Sequence, residues 1–314
     1  MKIEGVTVSG QTICFSSPIQ MELCESFDTP ASSLFVVFCI FWPLEELEKI
    51  IVKNNGEVVF DGYVDEQSTI CDSSGVKIKI SARSNAPLID NEALPVTYIR
   101  PSVEDIYKNH LEPFGIKGVL GSGICQGNFT VSKGTCHWAV VDEFCKCVLN
   151  VSPKITKDGY LDTRHNVPNE TPIVFSNESK GNCRYFSAQV KYKRYGVIGQ
   201  MLYKVDPSQG YTGLQIDENA KKRKITTKRY LNLSGSQKWE RQYRLQREFK
   251  KSLSGSCEVE LLVPFDCFLK VGALASFYDK RLGEYKDFRI FHIEHIISNL
   301  GMHCNVILRP KEHF

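Results

Sequence analysis

Two histidines near the end of the chain, His292 and His295, have a spacing that could suit a metal pair. Imidazole nitrogens are common zinc ligands, so the atoms are suitable. Both residues, however, lie in the strand-like run 288–297 (FRIFHIEHII), where residues three apart point to opposite faces. Because one ion cannot easily bind both side chains, we interpret the pair as structural.

A second group of potential metal ligands comprises Cys125, Cys136, His137, Cys145 and Cys147. The last two fall within a predicted helix, where residues two apart are separated by about 200° around the axis. They cannot converge on one ion. Cys145 belongs to the apolar face of that helix, where a free cysteine packs as a small hydrophobic residue. We predict no metal site and no other cofactor.

Carboxylates that could support acid–base catalysis include Asp61, Asp65 and Glu66, which lie in a predicted hairpin. The sequence places no partner group near them. A nucleophile elbow, a phosphate-binding loop, a dinucleotide-binding fingerprint and a zinc-protease motif are all missing from the sequence. We therefore predict that the protein is not an enzyme and has no catalytic residues.

The segment 221–251 holds twelve Lys and Arg against two Glu, a net charge of +10. Arg241, Arg244 and Arg247 recur at a spacing of three on a predicted helix. Such a stripe is typical of a solvated face or of a contact with an acidic partner subunit, which is the hypothesis we favour. The alternative is phosphate binding, which salt weakens steeply. The candidate partner-contact residues are Lys221, Lys222, Arg223, Lys224, Arg241, Arg244 and Arg247.

The composition is typical of a soluble globular protein with two or three domains. Of the 314 residues 42% are hydrophobic and 24% are charged, so we expect no long disordered segment. The N-terminus lacks the apolar run of an export signal. The most apolar stretch, 34–42, is nine residues long, whereas a membrane helix needs roughly 20. We interpret it as a buried strand and predict no membrane insertion.

The chain contains twelve cysteines. In a small secreted protein such a number would predict disulfides. Here the cysteines are scattered without the spacing of a disulfide framework, and no export signal precedes them. We therefore predict reduced thiols, most of them buried.

The first ninety residues predict a β-rich region, because apolar and polar residues alternate with the period of a strand. Residues 54–56 (NNG) and 72–75 (DSSG) lie between such runs and predict two hairpin turns. The alternation returns from Cys183 and continues to a last strand over 288–297. Residues 217–255, between these later strands, predict a basic helical excursion.

Residues 98–178 predict an α/β insert between the two β regions. Ser102 can cap a helix, and Asp105 lies three residues later, as in a capping box. A second helix is predicted over 135–149, because its apolar residues fall on one face. Residues 157–159 (KDG) predict a hairpin turn. The predicted helices pack through Ile106, Leu111, Trp138 and Val141.

Several short motifs follow one another in a characteristic order. In the first half they are 60–66 (FDGYVDE), 81–84 (SARS), 90–95 (DNEALP) with Tyr98, 101–102 (PS) and His110. In the second half they are 133–134 (KG), 157–161 (KDGYL), 195–198 (YGVI) and 229–233 (RYLNL). In this order the motifs resemble the baseplate hub proteins of contractile phage tails and of phage-tail-like particles of Gram-positive bacteria. The resemblance covers nearly the whole chain, although the twelve cysteines and the basic segment depart from the family pattern.

The resemblance implies an α+β, mostly β fold in which two tube-like β-barrel domains, 1–97 and 179–314, are joined by the α/β insert 98–178. It also implies that three copies form a ring that adapts a hexameric tail tube to a trimeric spike. The implied partners are the tail tube protein, the spike and other baseplate proteins, with passing contact with DNA as a further option. Such a protein is made in the bacterial cytoplasm and becomes part of a virion, a prophage remnant or a phage-like tail particle.

Three chains can match six tube subunits only if each presents two similar surfaces, so we expect the two β regions to superpose as related barrels. Closed barrels would also leave no strand edge free. The insert should project outward. Two alternative functions stay open: a cell-wall-degrading enzyme of the injection apparatus, and a nucleic-acid-binding module that uses the segment 221–251.

Overall fold

The computed structural model describes residues 1–73, 75–156, 158–164, 171–178, 181–265 and 269–311. The chain forms two compact units. Unit 1 comprises Met1–Asp90, Thr171–Gln189 and Glu260–Leu308. Unit 2 comprises Asn91–Glu170, Val190–Val259 and Arg309–Phe314. The three-domain division predicted from the sequence groups the residues differently and stays a prediction.

Strands account for 47% and helices for 17%, which confirms the mostly β fold. The strands are β1 (Lys2–Thr7), β2 (Thr12–Phe15), β3 (Gln20–Ser26), β4 (Ser33–Ile40), β5 (Leu47–Asn54), β6 (Glu57–Asp72), β7 (Gly75–Arg83), β8 (Thr97–Ile99), β9 (Gly118–Leu120), β10 (Asn128–Thr130), β11 (Lys154–Ile155), β12 (Tyr160–Asp162), β13 (Ile173–Phe175), β14 (Ser187–Tyr192), β15 (Gln200–Lys204), β16 (Gly213–Ile216), β17 (Lys228–Asn232), β18 (Cys257–Pro264), β19 (Leu274–Asp279), β20 (Gly283–Ser298) and β21 (Gly301–Pro310). The α-helices are α1 (Ala86–Asp90), α2 (Val103–His110), α3 (His137–Phe144), α4 (Glu218–Lys222) and α5 (Lys238–Ser254). A 3-10 helix covers Glu112–Phe114 and a π-helix covers Cys145–Leu149.

The largest sheet has 13 strands, most of them in unit 1. Its order is β14-β18-β21-β20-β3-β4-β7-β6-β5-β1-β2, with β19 paired to β20 and β13 to β19. The two β regions predicted from the sequence therefore share one sheet, joined where β20 runs antiparallel to β3.

Strands β1–β7 of this sheet curl around a shared apolar core. Phe15 on β2 and Phe38 on β4 stack with their ring centroids 4.4 Å apart, although four strands separate β2 from β4 in the sheet order. Over the described residues the strand path stays open, with β14 at one end and β2 at the other. The curled sheet therefore encloses a core without closing into a barrel in this part of the chain.

The core of unit 1 follows the alternation in the sequence. On β7, Ile78, Ile80 and Ala82 are buried, whereas Lys79 and Ser81 between them are not. Strand β4 is mostly buried, as predicted for the apolar run that contains it. The last two residues of that run, Phe41 and Trp42, lie beyond β4 and are 89% and 50% exposed. The prediction that the whole run is buried is therefore wrong at its end, because the strand stops before the apolar residues do.

Both predicted hairpin turns of unit 1 are confirmed. β5 and β6 pair on either side of the turn 54–57, and Asn55 and Gly56 have φ values of 49° and 88°. A type I′ turn requires positive φ at both of these positions. β6 and β7 meet at Gly75, whose φ is 113°; Ser74, within the predicted turn, lies outside the described residues.

Helices α2 and α3 form the first part of unit 2, and both were predicted. The Ser102 hydroxyl accepts a hydrogen bond from the Asp105 N–H, and the Asp105 carboxylate accepts one from the Ser102 N–H. This capping box satisfies two N–H groups at the start of the helix. The π-helix extends α3 to Leu149, the predicted end. All four predicted packing residues are buried: Ile106, Leu111, Trp138 and Val141.

Two small sheets complete the elements relevant to the site. β11 and β12 are antiparallel, with Ile155 opposite Leu161, which confirms the hairpin predicted at 157–159; Lys157 lies outside the described residues. β15 pairs with both β16 and β17 in a three-stranded sheet. Helix α5 belongs to the same apolar cluster as this sheet: Ile198, Met201, Leu233, Leu245 and Phe249.

The structure describes eleven of the cysteines, all as free thiols. Four of them are buried, Cys14, Cys39 and Cys71 are exposed, and the others are half-buried. The prediction that most thiols are buried is therefore wrong, because these three cysteines occupy outward positions on strands of the large sheet.

In the described ranges, no helix is both long enough and apolar enough to span a membrane.

Candidate functional site

Four consecutive cations, residues 221–224, form an exposed turn at the end of α4. Asp217 caps the helix by accepting a hydrogen bond from the Ala220 N–H (2.8 Å), and Lys224 follows it with a φ of 56°. Arg194 joins the turn because its guanidinium donates to the Lys224 carbonyl oxygen (2.8 Å). We call Arg194 and residues 221–224 the cationic turn.

The three arginines of α5 behave differently, because groups of unit 2 itself bind them. Arg247 Nη1 donates to Glu143 Oε2 at 2.6 Å. Arg244 donates to the Ser236 hydroxyl, and Arg241 Nε donates to the Ser236 carbonyl oxygen at 3.2 Å. The seven candidate residues therefore separate into four exposed cations in the turn and three arginines held within unit 2.

The Glu143–Arg247 pair links α3 to α5. Burial raises the pKa of the Glu143 carboxyl, but hydrogen bonds from Arg247 and the Cys147 thiol lower it by more, so the net shift is downward. Burial also raises the pKa of Cys147 to about 12, so this thiol stays protonated and donates to Glu143 (Sγ to Oε1, 3.1 Å). Glu143 is therefore an anion with two hydrogen-bond donors at neutral pH.

A cavity of about 550 Å³ opens beside this pair. Its size is within the range of small-molecule sites. A general acid that works at neutral pH needs a raised pKa. Glu143 has the opposite shift, which disfavours it as the general acid of a cell-wall hydrolase. The charged residues of the lining are Glu143, Glu240, Arg244, Arg247 and Glu248.

Four rings from different elements meet elsewhere in unit 2. Tyr98 Oη on β8 lies 3.1 Å from His110 Nε2 on α2, and His110 Nδ1 lies 3.1 Å from His137 Nδ1 on α3. Phe114 packs edge-on against His137, with ring centroids 4.8 Å apart. One nitrogen of the histidine pair must donate and the other accept, so this bond cannot form when both rings are protonated.

The histidine pair is neutral at pH 7. Burial, with a smaller contribution from His137, lowers the pKa of His110 to about 4. Burial likewise lowers the pKa of His137. Because His110 is 2% exposed and both of its nitrogens are hydrogen-bonded, it joins α2 to α3 instead of acting as a base on a substrate. Tyr98 and His110 both belong to the motif series. Their hydrogen bonds give a structural explanation for the presence of these two residues in the motifs.

The carboxylate of Asp65, which the sequence left without a partner, binds Arg83 in unit 1. Arg83 Nε and Nη2 donate to the two Asp65 oxygens at 2.7 and 2.8 Å. The same guanidinium donates to Asp90 at 3.1 and 2.7 Å. These hydrogen bonds raise the pKa of Arg83. All three residues occur in the motif series, so the motifs contain the partners of one ion-pair cluster.

The histidines near the C-terminus lie on β20, as predicted. His295 is buried, with Nδ1 3.0 Å from the Cys304 Sγ, and His292 is half-buried. Among the residues that the structure describes, no group of three or more His, Cys, Asp and Glu could hold a metal ion.

Neither a protein-family model nor a curated protein matches the sequence. Solved structures do match. The tail protein of Neisseria meningitidis is 15% identical, with a TM-score of 0.77 over 99% of this chain and 97% of that chain. The 43 kDa tail protein of prophage MuSo2 from Shewanella oneidensis is 16% identical, with a TM-score of 0.77 over 100% and 99%. The E. coli c3393 protein, a type VI secretion component similar to the T4 bacteriophage tail proteins gp27 and gp5, is 8% identical, with a TM-score of 0.59 over 94% and 73%.

At these identities the comparisons show the fold. Both tail proteins align over nearly their full length, so the likeness includes both units of the chain. The motif resemblance found in the sequence and the structural likeness point to the same class of proteins. The chain has the fold of phage tail proteins along its whole length.

Proposed function

We propose that the chain is a structural baseplate hub protein of a contractile phage tail or a phage-like tail particle. Three copies form a ring that adapts the hexameric tail tube to the trimeric spike. The observation that carries the proposal is the match of the fold to two phage tail proteins over nearly the full length of both. The likeness to a type VI secretion component, itself similar to T4 tail proteins, adds support.

The sheet of unit 1 supports the ring. A hub of three chains must present six similar surfaces, and each chain contributes two of them, from 1–97 and 179–314. The sheet contains strands from both regions, and its strands β1–β7 curl around a core as those of a tube-like domain do. Its open ends, β2 and β14, offer edges to which a strand of a neighbouring copy can pair. In this arrangement the insert 98–178 projects outward.

The ion pairs support a structural role over an enzymatic one. Besides Asp65 and Glu143, the buried Glu258 is bound by Lys193 and by Arg309, each at 2.6 Å. Burial raises the pKa of Glu258, but these two cations lower it by more. Glu143 and Glu258 are therefore anions held by cations of the same unit, as expected of ion pairs that stabilise a fold.

The proposed partners are the tail tube protein, the spike and other baseplate proteins, with passing contact with DNA as a lesser part of the proposal. The protein is made in the bacterial cytoplasm and is built into the virion or tail particle. The cationic turn is the proposed contact surface. Arg241, Arg244 and Arg247 contribute mainly by shaping unit 2, because its own groups bind them.

Electron cryo-microscopy of tail particles that carry this chain tests the proposal. We expect one ring of three copies between the end of the tube and the spike. The two β regions of each copy should then face neighbouring tube subunits. A chain that repeats along the tube in rings of six, or that is missing from purified particles, would overturn the hub assignment.

The enzymatic alternative has a direct test. Purified protein is added to a suspension of bacterial cell walls, and we expect no clearing. Clearing that disappears in the Glu143→Gln variant, but persists in a Glu104→Gln control on the exposed side of α2, would make the protein a hydrolase.

A further inference from the structure

Unit 1 carries a segment, 41–48, in which two exposed aromatic side chains are followed by three exposed acidic ones. Phe41 and Trp42 follow β4 and are 89% and 50% exposed. Glu45, Glu46 and Glu48 come next, and all three are exposed. Exposed aromatic side chains beside charged ones are typical of a protein–protein contact.

The hairpin between β20 and β21 adds apolar surface at the same end of the sheet. β20 is antiparallel to β3, and β3 is antiparallel to β4, so β20 and β4 finish at the same end. Leu300 and Met302, in this hairpin, are 89% and 59% exposed. We call the segment 41–48 and these two residues the acidic end.

The two units have opposite charge. Unit 1 holds 13 Lys and Arg against 20 Asp and Glu, a net charge of −7. Unit 2 holds 26 against 16, a net charge of +10. Every copy of the chain therefore brings one acidic and one basic unit to an assembly.

The cationic turn is the densest positive surface of unit 2. Of its five cations, only Lys221 has an acidic neighbour on α4, Glu218 at 3.8 Å, and both side chains are about two-thirds exposed. Such a pair contributes little, because water screens it. Tyr195, next to Arg194, is 84% exposed. The turn therefore presents exposed positive charge together with an aromatic ring.

We infer that the acidic end of one copy binds the cationic turn of a second copy. The inference rests on the proposed ring and deepens it by naming the contact between copies. The three glutamates of the acidic end face the cations of the turn, and the aromatic and apolar side chains of the two surfaces are buried between them. Each copy uses a different surface toward each neighbour, so the contact is head-to-tail, the kind of contact that the proposed ring requires.

A second copy fits these surfaces better than a nucleic acid does. The acidic end has the charge that the turn requires, and the two surfaces occur in equal number in every assembly. Phe41, Trp42, Leu300 and Met302 need an apolar cover, which a phosphate backbone does not supply. Two acidic ends, or two cationic turns, would repel each other, so the charges also favour the pairing of one surface with the other.

Charge reversal tests the contact in the full-length protein. Self-association is measured by analytical ultracentrifugation over a concentration series at low salt. The turn variant is Lys221→Glu with Lys222→Glu, and the acidic variant is Glu46→Lys with Glu48→Lys. Each variant alone should raise the dissociation constant by roughly tenfold or more, because like charges then face each other. The combined variant, with both surfaces reversed, should restore association.

A second pair of substitutions tests the apolar part. Phe41→Ser with Trp42→Ser should weaken association by roughly tenfold or more, since buried aromatic side chains dominate most interfaces. Phe186→Ser removes a ring that is 65% exposed elsewhere in unit 1 and should leave association unchanged. Lys117→Glu with Lys133→Glu reverses two exposed lysines of unit 2 and is the matched charge control.

Several results would overturn the inference. They are a native protein that stays monomeric at every concentration, single reversals without effect, or a combined variant that is not rescued. Binding of a fluorescent single-stranded DNA that the turn variant alone abolishes would assign the turn to nucleic acid instead. Particles that show a three-copy ring while the reversals leave association unchanged would refute this contact and leave the hub proposal intact.

Discussion

Unit 1 and unit 2 are stabilised by different kinds of contact. Unit 1 rests on a curled sheet in which strands β1–β7 bury one apolar cluster, and its Arg83 cluster lies at the partly exposed surface. Unit 2 consists of small sheets and helices with separate apolar clusters. Its elements are joined by side-chain hydrogen bonds between distant residues, such as His110–His137 and Glu143–Arg247.

This difference indicates which parts of the chain should be sensitive to pH, to salt and to substitutions. Burial of apolar surface depends little on pH or moderate salt, so the apolar core of β1–β7 in unit 1 should keep its stability over a wide range of conditions. Hydrogen bonds between titratable groups depend on their protonation, so unit 2 should respond to pH and to single polar substitutions. Hydrogen exchange followed by mass spectrometry reports on each unit separately and can test this contrast.

The largest effect is expected from the core of unit 1. Phe38→Ala removes a fully buried ring that stacks on Phe15, and it should lower the free energy of unfolding of unit 1 by about 3–5 kcal/mol. Exchange in β4 and β7 should rise the most. Phe186→Ala, the same substitution at an exposed ring, is the control. A loss below about 1 kcal/mol would show that the apolar core is not what stabilises unit 1.

Acidification should act on unit 2 before unit 1. Because the folded-state pKa of His110, about 4, is below the ordinary 6.5, the folded state binds this proton more weakly than the unfolded chain does. The contribution of His110 is complete above about pH 6.5 and is lost as the pH falls toward 4, at a cost of up to about 3 kcal/mol. Urea unfolding at several pH values measures this loss as a decrease in the free energy of unfolding of unit 2.

Two variants make the pH prediction specific. His110→Gln removes the titrating ring and should flatten the pH dependence of unit 2 between about pH 6.5 and 4.5. His292→Gln, on β20 in unit 1, should leave that dependence as it is. An unchanged slope in His110→Gln would mean that other groups control the acid response.

A smaller effect is expected from the link between α3 and α5. Arg247→Met should destabilise unit 2 by about 1 kcal/mol, because both partners are partly exposed and water screens the pair. A double-mutant cycle with Glu143→Gln isolates the energy of the pair. Lys251→Met, at an exposed position of the same helix, is the control. A coupling energy near zero would mean that this ion pair does not stabilise unit 2. The histidine pair would then be the remaining polar contact that distinguishes unit 2 from unit 1.

The smallest effect is expected at the Arg83 cluster of unit 1. Arg83→Lys keeps the charge but loses the forked geometry that binds Asp65 and Asp90, and it should cost about 0.5–1 kcal/mol. Lys79→Arg, an exposed exchange on the same strand, is the control. A loss as large as that of Phe38→Ala would contradict the view that polar contacts are secondary in unit 1.

Local features of the fold could be predicted from the sequence. The turn 54–57, the Ser102 capping box and the helix over 135–149 depend on residues within a few positions of each other, so their patterns are visible in the chain. The buried face of β7 follows from its alternation in the same way. The order of the motifs also indicated the fold class that the structural comparisons then showed.

Other features depended on contacts between residues far apart. The sequence could not show that Arg247 is bound to Glu143, 104 positions away, and a spacing of three suggested a free stripe instead. The sequence predicted Phe41 and Trp42 as part of a buried strand. The structure shows that they are exposed, because β4 ends at Ile40, before both residues.

The sequence by itself determined the two hairpin turns of unit 1, the helices α2 and α3, the mostly β class and the strong positive charge of the segment 221–251. Only the tertiary structure decided that the two β regions share one sheet, that His110 meets His137, and which cations stay in solvent. The physical reason is that turns, caps and amphipathic faces are set by neighbouring residues. Pairing between strands and between charges is set by which surfaces the folded chain brings together.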